Sequence, residues 1–344
     1  MQPIPLDMRR TRMKLFPLLL IVAALSLPQA VRSAPAPSEE APGSWLRAAD
    51  HRVSEIAYRI AIGGARFCPE PHPVTGLLFH HLDEYEASDK EVMIARHGLD
   101  RGLGILSVID GSPAARAGLR AGDVIVAVNG EPIRKDATFA PPRATPRRAV
   151  LEAGAVQVEE ALRQGAVELS VLHDGDMLPI RLTSTPGCPV RVRLARSSQT
   201  NAFANGRIVT LTTAGLEFAQ NDDEVAVMIG HELAHNILGH PARLDEQGVP
   251  RSGPLRGFGA NADKVRATEE EADRLGISLV WAAGFDTSAA IPFWRRYYAK
   301  FDGPQLFRTH PSLQARERII EETLAALNAG AERPKLGEGA LSHR

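Results

Sequence analysis

Apolar and polar positions along this chain follow two periods, one helical and one strand-like. A helical period runs through four stretches, residues 45–66, 151–164, 221–240 and 264–281. A further helix is predicted from Pro311 to about Leu327, because proline suits a first helical turn. Short alternating or β-branched runs predict strands at 105–109, 124–128, 167–172, 178–182, 190–194 and 207–212. The pattern predicts an α+β chain, in which a mainly helical domain with a small edge sheet accompanies a β-rich domain.

The composition is that of an ordinary globular protein. With 344 residues, of which 44% are hydrophobic and 24% charged, the chain is long enough for two domains that each bury a core. The formal net charge of −1 argues against a nucleic-acid partner.

The first 33 residues have the pattern of a secretory signal peptide. Four basic residues from Arg9 to Lys14 precede an apolar run at 15–27, and a small, proline-rich stretch follows. We therefore expect residues 1–33 to be removed before Ala34 and the mature chain to be secreted or periplasmic. An uncleaved anchor is the alternative, although the run is shorter than the roughly 20 residues of a membrane-spanning helix. No later stretch predicts an integral membrane span.

The chain has two cysteines, Cys68 and Cys188. Export would place both in an oxidising compartment, where they can form a disulfide; two buried free thiols are the alternative. If they are paired, they close a loop of more than about 100 residues, for which the chain-entropy model gives about 4.7 kcal/mol as an upper estimate.

Residues 34–85 are expected to form a linker and a helix that packs on the later helical domain. The helical period ends at Gly63-Gly64, and residues 69–85 are predicted to be loop-like. The histidines of this loop are expected to be polar surface residues rather than metal ligands: His72, His80 and His81.

From Gly102 the chain alternates short strands with glycine-rich turns, and this stretch resembles a PDZ domain. The resemblance rests on Ser112-Pro113-Ala114, Ala117-Gly118-Leu119, Gly122-Asp123-Val124-Ile125 and Asn129-Gly130. Residues 134–148, rich in proline and arginine, are predicted to be a flexible insertion. The helix at 151–164 and a hairpin turning at Asp174-Gly175 would complete a domain over 86–187.

A PDZ domain implies that an extended peptide, often a free C-terminus, is bound as an added strand. The domain would then tether substrate or regulate the chain, or else only pack against its neighbour. Residues 102–105 fit a carboxylate-binding loop or the following strand equally well, so the ligand site is left unassigned.

Residues 221–240 contain the spacing H-E-x-x-H within a helix. Asn221 is a suitable N-cap, and Glu224 three residues later predicts a capping box. His231 and His235 lie about 40° apart around the helix, so both imidazoles can hold one metal ion. Glu232 lies close enough to act on a water molecule without being a ligand. A chance match in a buried helix is the alternative.

A third ligand must come from elsewhere. A metzincin pattern would need glycine and histidine where Leu238 and Pro241 stand, and His240 projects about 140° away from His235, which predicts a surface or supporting position for it. The helix at 264–281 is the better source, because Glu269 and Asp273 share one face beside small residues, Ala272 and Gly276.

These motifs together resemble the gluzincin zinc metallopeptidases of the CAAX-prenyl-protease, HtpX and BepA-like type, in their secreted soluble form. The matching residues are Asn201-Ala202-Phe203-Ala204, Asp223-Glu224, His231-Glu232-Leu233-Ala234-His235, Glu269 to Asp273, His310-Pro311 and Arg316. The resemblance implies that Glu269 is the third zinc ligand and that Asp273 supports a ligand histidine. Glu270 and Glu271 are the alternatives if the register differs.

The resemblance also places His310 near the metal, as an oxyanion donor or a gate. Arg316 and Asn201 are expected either to contact substrate or to be structural. Strands near 190–212 would offer an edge to substrate or form an ordinary core hairpin.

The sequence therefore predicts an endopeptidase with one zinc ion per chain that cuts polypeptides. A zincin-type domain is expected at 188–330, followed by a flexible tail at 331–344. A PDZ-based binding protein with an inactive peptidase scaffold, and a metal hydrolase acting on other substrates, are the alternatives.

Overall fold

The computed structural model describes residues 44–140, 144–301 and 311–330. The predicted signal peptide, the predicted tail at 331–344 and His310 lie outside these ranges. Within them, no helix combines the length and apolar character needed to cross a membrane.

Helices and strands are numbered in chain order. The helices are α1 (Ser44–Gly63), α2 (Ala87–His97), α3 (Pro113–Arg116), α4 (Ala149–Arg163), α5 (Thr213–Phe218), α6 (Asp222–Ile237), α7 (His240–Glu246), α8 (Gly259–Ala282), α9 (Ala290–Phe301) and α10 (Leu313–Gly330). The strands are β1 (His72–Val74), β2 (Leu77–His80), β3 (Leu103–Val108), β4 (Val124–Val128), β5 (Glu131–Pro132), β6 (Val167–His173), β7 (Asp176–Leu182), β8 (Thr185–Gly187), β9 (Val192–Ala195), β10 (Ala202–Ala204) and β11 (Val209–Thr212). The mixture of helices and sheets confirms the predicted α+β class.

One buried cluster unites α1 with the helices that carry the H-E-x-x-H and acidic motifs. Ile56 and Ile60 of α1 pack in the same core as Ile229 of α6 and Leu279 of α8. Helices α6 and α8 approach closely at Gly276, where an added Cβ would lie 2.9 Å from the backbone nitrogen of His231. The small residue therefore brings the two motif-bearing helices together, as the sequence predicts.

A small sheet of three strands lies beside α6, in the order β10-β11-β9. Strands β9 and β11 are parallel, which excludes the core hairpin, the alternative predicted for this segment. The antiparallel edge strand is β10, in a segment for which no strand was predicted. A parallel pair needs a connection longer than a hairpin turn, and β10 occupies that connection.

The PDZ-like region forms a larger sheet, in the order β2-β3-β4-β6-β7, with α4 packed against it. The prediction of a loop at 69–85 is wrong, because this segment contains β1 and β2. Their partners, β8 and β3, are distant in sequence and supply pairing that the local pattern does not reveal. The sheet therefore begins before the predicted boundary at residue 86.

Two further predictions for this region need correction. Leu103, Gly104 and Ile105 lie within β3, which excludes the reading of 102–105 as a carboxylate-binding loop. The ends of the predicted flexible insertion at 134–148 are held in place, since Arg134 pairs with Glu160 and Arg148 pairs with Glu84 and Glu152.

Cys68 and Cys188 are joined by a disulfide, with their Cα atoms 5.5 Å apart and 120 positions between them in sequence. The bond lies where the chain leaves the helical domain for the PDZ-like sheet and where it returns.

Candidate metal centre

Helix α6 is terminated at both ends by identifiable residues. Asn221 accepts a hydrogen bond from the backbone N–H of Glu224 at 3.0 Å, and the Glu224 carboxylate accepts one from Gln220 rather than from Asn221. The helix ends at Ile237, before Gly239 in a left-handed conformation (φ 63°). These caps therefore set the limits of the helix that carries His231 and His235 on one face.

Three donor side chains converge from α6 and α8. Nε2 of His231 and Nε2 of His235 are 3.2 Å apart. The carboxylate of Glu269 places Oε2 at 3.5 Å from His231 Nε2 and Oε1 at 3.5 Å from His235 Nε2. Among the residues that the structure describes, His231, His235 and Glu269 form the one cluster whose donor atoms could hold a metal ion together.

The spacing of these donors fits a tetrahedral metal ion. With bonds of about 2.0–2.1 Å and tetrahedral angles, two ligand atoms on zinc lie about 3.3 Å apart. The observed separations of 3.2–3.5 Å are close to this value, with a different oxygen of Glu269 nearest to each histidine. Two imidazoles and one carboxylate are also a donor set that leaves a fourth position open.

Asp273 and Arg316 contact the metal-donor side chains from the buried side of the site. Oδ1 of Asp273 lies 3.0 Å from Nδ1 of His231, at ion-pair distance but outside hydrogen-bond angles. The fully buried Arg316 donates to Asp273 Oδ2 at 2.8 Å and to Glu269 Oε2 at 3.3 Å. Its guanidinium also lies 3.9 Å from the ring centre of Trp294. Arg316 thus ties α10 to the metal site.

His240 supports the site rather than lying on the surface. Its ring Nδ1 is 2.8 Å from Nδ1 of His235, and its Nε2 is 3.1 Å from Glu271. The helical projection that put His240 140° from His235 does not apply, since α6 ends before it and α7 begins at His240 itself. This placement also assigns Glu271 to His240 and Arg243, while Glu270 pairs with Arg274 at the surface.

The two histidines of α6 have opposite pKa shifts. Burial opposes protonation of His231, but Asp273 and Glu269 outweigh it and raise the pKa to about 10. Burial lowers the pKa of His235 to about 3, and Glu269 only partly opposes this shift. A histidine ligand must be a neutral imidazole, so a bound cation would replace the proton that His231 holds.

The trio opens into a cleft of about 1040 Å³ that Glu232 also lines. Strand β10 forms one side of the cleft, together with Asn201, an exposed residue directly before the strand. The backbone of Asn201 pairs with Thr212. The cleft thus places a general-base candidate, metal donors and an edge strand in one space.

Helix α9 supplies an aromatic wall that the sequence reading missed. Phe293, Trp294 and Tyr297 line the cleft, and the ring of Trp294 is 5.6 Å from that of His231. The density of aromatic residues in IPFWRRYYAKF was the signal available in the sequence.

Comparisons with known proteins agree with this geometry. The family model of peptidase family M48 matches residues 177–252 and 260–324, and that of the PDZ domain matches 104–140. The beta-barrel assembly-enhancing protease of Yersinia pestis is 31% identical over 36% of this chain and 32% of its own length. The metalloprotease YcaL of Escherichia coli is 26% identical, over 41% and 64%. The mitochondrial metalloendopeptidase OMA1 of Schizosaccharomyces pombe is 30% identical, over 39% and 46%.

The site and these matches define a metallopeptidase domain, for which a metal cofactor is implied. The chain carries a domain of peptidase family M48 together with a PDZ domain. It spans about a third of the length of the first beta-barrel assembly-enhancing proteases that it matches.

Proposed function

We propose that this chain is a zinc-dependent endopeptidase that hydrolyses polypeptides in the cell envelope, in protein quality control. The observation that carries the proposal is the convergence of His231, His235 and Glu269, with donor atoms 3.2–3.5 Å apart, beside Glu232 in an open cleft. One zinc ion per chain is proposed at these three ligands.

Zinc held there would act as a Lewis acid, which would activate water and polarise a carbonyl group. Glu232 takes the proton of the attacking water and delivers it to the leaving amine. It follows His231 directly and lies about 100° from it around the helix, so its carboxylate reaches the cleft without being a ligand. Asp273 orients His231, as partners of metal-bound histidines do. His310, outside the described residues, is proposed to stabilise the oxyanion or to gate the metal.

A polypeptide is the proposed substrate class because β10 is an edge strand that lines the cleft. An extended chain can pair with such an edge through its backbone, which would carry the scissile bond past the metal. The same pairing gives Asn201 a place beside the substrate backbone.

A periplasmic or secreted location is proposed from the predicted signal peptide. Relatives named for enhancing β-barrel assembly support a role in the envelope. The PDZ domain is proposed to regulate the peptidase or to bind substrate peptides, with free C-termini as the expected ligands.

The test measures zinc content and casein cleavage for the wild type, Glu232→Gln and Glu270→Gln. The first variant should keep zinc and lose cleavage by about 10²–10⁴-fold, the usual contribution of a general base. The second variant removes the surface carboxylate of Glu270, which pairs with Arg274. It should change neither zinc content nor cleavage.

Cleavage retained by Glu232→Gln would contradict the mechanism. Zinc binding without cleavage in the wild type would instead favour the alternative, a PDZ-based binding protein with an inactive or latent peptidase scaffold.

A further inference from the structure

The face of the three-stranded sheet that borders the cleft carries one row of side chains. Phe203 of β10, Thr210 of β11 and Arg193 of β9 are direct neighbours across the strands. All three line the cleft, and 42% of Phe203 is exposed to it and to solvent. Residues on the other face of the sheet, Val209 and Leu211, are buried in the core.

Arg193 is a half-buried cation with no carboxylate at ion-pair distance among the described residues. Its Nε donates to the Thr210 hydroxyl at 2.9 Å, and the Arg193 side chain makes no second hydrogen bond within the described residues. Burial and the nearby Arg148 lower the pKa of Arg193, and the charges of Glu84 and Glu152 oppose this shift only in part.

The carboxylates of this region are paired with other cations. Glu84 pairs with Arg148, and Glu152 pairs with both Arg148 and Arg191. The terminal nitrogens of Arg193 therefore make no hydrogen bond within the described residues, and the residue lines the cleft proposed to take polypeptides.

We propose that Arg193 is a specificity-determining residue, which binds a carboxylate of the polypeptide in the cleft, either an Asp or Glu side chain or the chain's C-terminus. The inference rests on the proposed function. A guanidinium offers two parallel donors that match a carboxylate, and such a partner would give Arg193 the direct ion pair that it does not form within the described residues.

The distances allow this contact. A chain paired with the free edge of β10 lies two strand spacings, about 10 Å, from β11. The bond to Thr210 directs the Arg193 side chain towards β11 and so towards that edge. A glutamate side chain on that chain would reach across Phe203, the neighbour of Thr210 on β10, to meet the guanidinium.

The experiment measures binding of fluorescein-labelled heptapeptides to full-length, zinc-loaded Glu232→Gln protein by fluorescence anisotropy. One set of peptides differs only by Glu or Gln at each successive position; a second set differs only by a free or amidated C-terminus. Arg193→Gln is added in the test variant and Arg196→Gln in the matched control, since Arg196 is an exposed arginine just beyond β9.

We expect the preferred carboxylate peptide to bind about tenfold more tightly than its neutral partner, as a charge-assisted pair in a half-buried site allows. Arg193→Gln should remove this preference, and Arg196→Gln should keep it. The set of peptides that shows the preference identifies the carboxylate as a side chain or a C-terminus. Arg193→Glu should favour a Lys peptide over the Glu peptide, and thermal unfolding of each variant checks that it is folded.

Equal binding of charged and neutral peptides, a preference that survives Arg193→Gln, or binding of none of the peptides would each overturn the inference. The proposed function is judged separately by casein cleavage in the wild type. Cleavage with no carboxylate preference leaves the peptidase proposal standing and removes the role of Arg193.

Discussion

Two grooves in this chain share one construction but differ in accessibility. In each, an edge strand lies near a helix: β10 beside α6 at the metal donors, and β2 beside α4 in the PDZ domain. The metal cleft has a volume of about 1040 Å³, whereas the groove of the PDZ domain has about 110 Å³. Ligand pockets usually measure roughly 300–1,000 Å³, so the described structure leaves room for a peptide in the first groove alone.

The difference lies in what covers each groove. Tyr58 of α1 and residues 190–192 border the space between β2 and α4. Arg191 holds the segment 190–192 over the groove, because its side chain pairs with Glu152 and Glu159 of α4. An edge strand beside a helix is therefore a docking site only where the rest of the chain leaves it uncovered. The predictions below test this contrast, from the largest expected effect to the smallest.

Glu269→Gln should weaken zinc binding the most. Losing a supporting hydrogen bond to a ligand costs about 10–100-fold in affinity, and loss of a ligand itself should cost more than that. Competition with a chelator measures the affinity, and Glu270→Gln is the control. Unchanged zinc affinity in Glu269→Gln would move the third ligand to a neighbouring residue.

Arg316→Met should lower the free energy of unfolding by about 3–5 kcal/mol, because it removes the buried guanidinium that pairs with both Asp273 and Glu269. Urea titration measures the loss. Arg318→Met changes the same residue type on the exposed side of α10, where its ion pair with Glu322 contributes about 0–1 kcal/mol. Equal losses in both variants would mean that the Arg316 network does not stabilise the metal site.

Arg191→Met should open the groove of the PDZ domain. Its removal leaves Glu152 and Glu159 without their shared cation, which we expect to cost about 3 kcal/mol in unfolding free energy. Calorimetric titration with a hexapeptide that ends in a free apolar residue should detect binding to this variant but not to the wild type. Arg181→Met, at an exposed position of β7, is the control. Tight binding to the wild type would show that the groove is open in solution.

His80 should make the stability of the PDZ domain depend on pH. Burial, with the nearby charges of His97 and His81, lowers the pKa of His80 to about 4. The unfolded chain, with a histidine pKa near 6.5, then binds more protons between these values, so stability is present above about pH 6.5 and is lost as the pH falls towards 4.

The expected loss between pH 7 and pH 5 is about 2 kcal/mol. Urea titrations of the wild type and of His80→Gln at both pH values measure it, since the substitution should remove this part of the pH dependence. Parallel pH profiles of the two proteins would contradict the prediction.

The helices that form the metal site follow from local sequence signals, whereas the grooves depend on tertiary contacts. Asn221 and the apolar period predict α6, and helical spacing alone brings His231 and His235 together. The projection fails at His240, because Gly239 turns the chain into a new helix. The local sequence pattern does not predict strands β1 and β2, because the strands that they pair with lie far along the chain.

The cover over the PDZ groove could not be predicted for the same reason. Nothing in the sequence around Arg191 indicates that its side chain reaches two carboxylates on α4. The PDZ motif predicts the groove itself, while the packing of α1 and the segment after Cys188 determines whether it is accessible.

The disulfide between Cys68 and Cys188 makes the PDZ domain a covalently closed side loop. The chain departs and returns at points only 5.5 Å apart, a gap that one or two residues can bridge. The loop could therefore be excised and replaced by a short linker without stretching the helical domain. For a chain proposed to cut polypeptides, the same closure means that a nick anywhere in the loop separates neither half from the other.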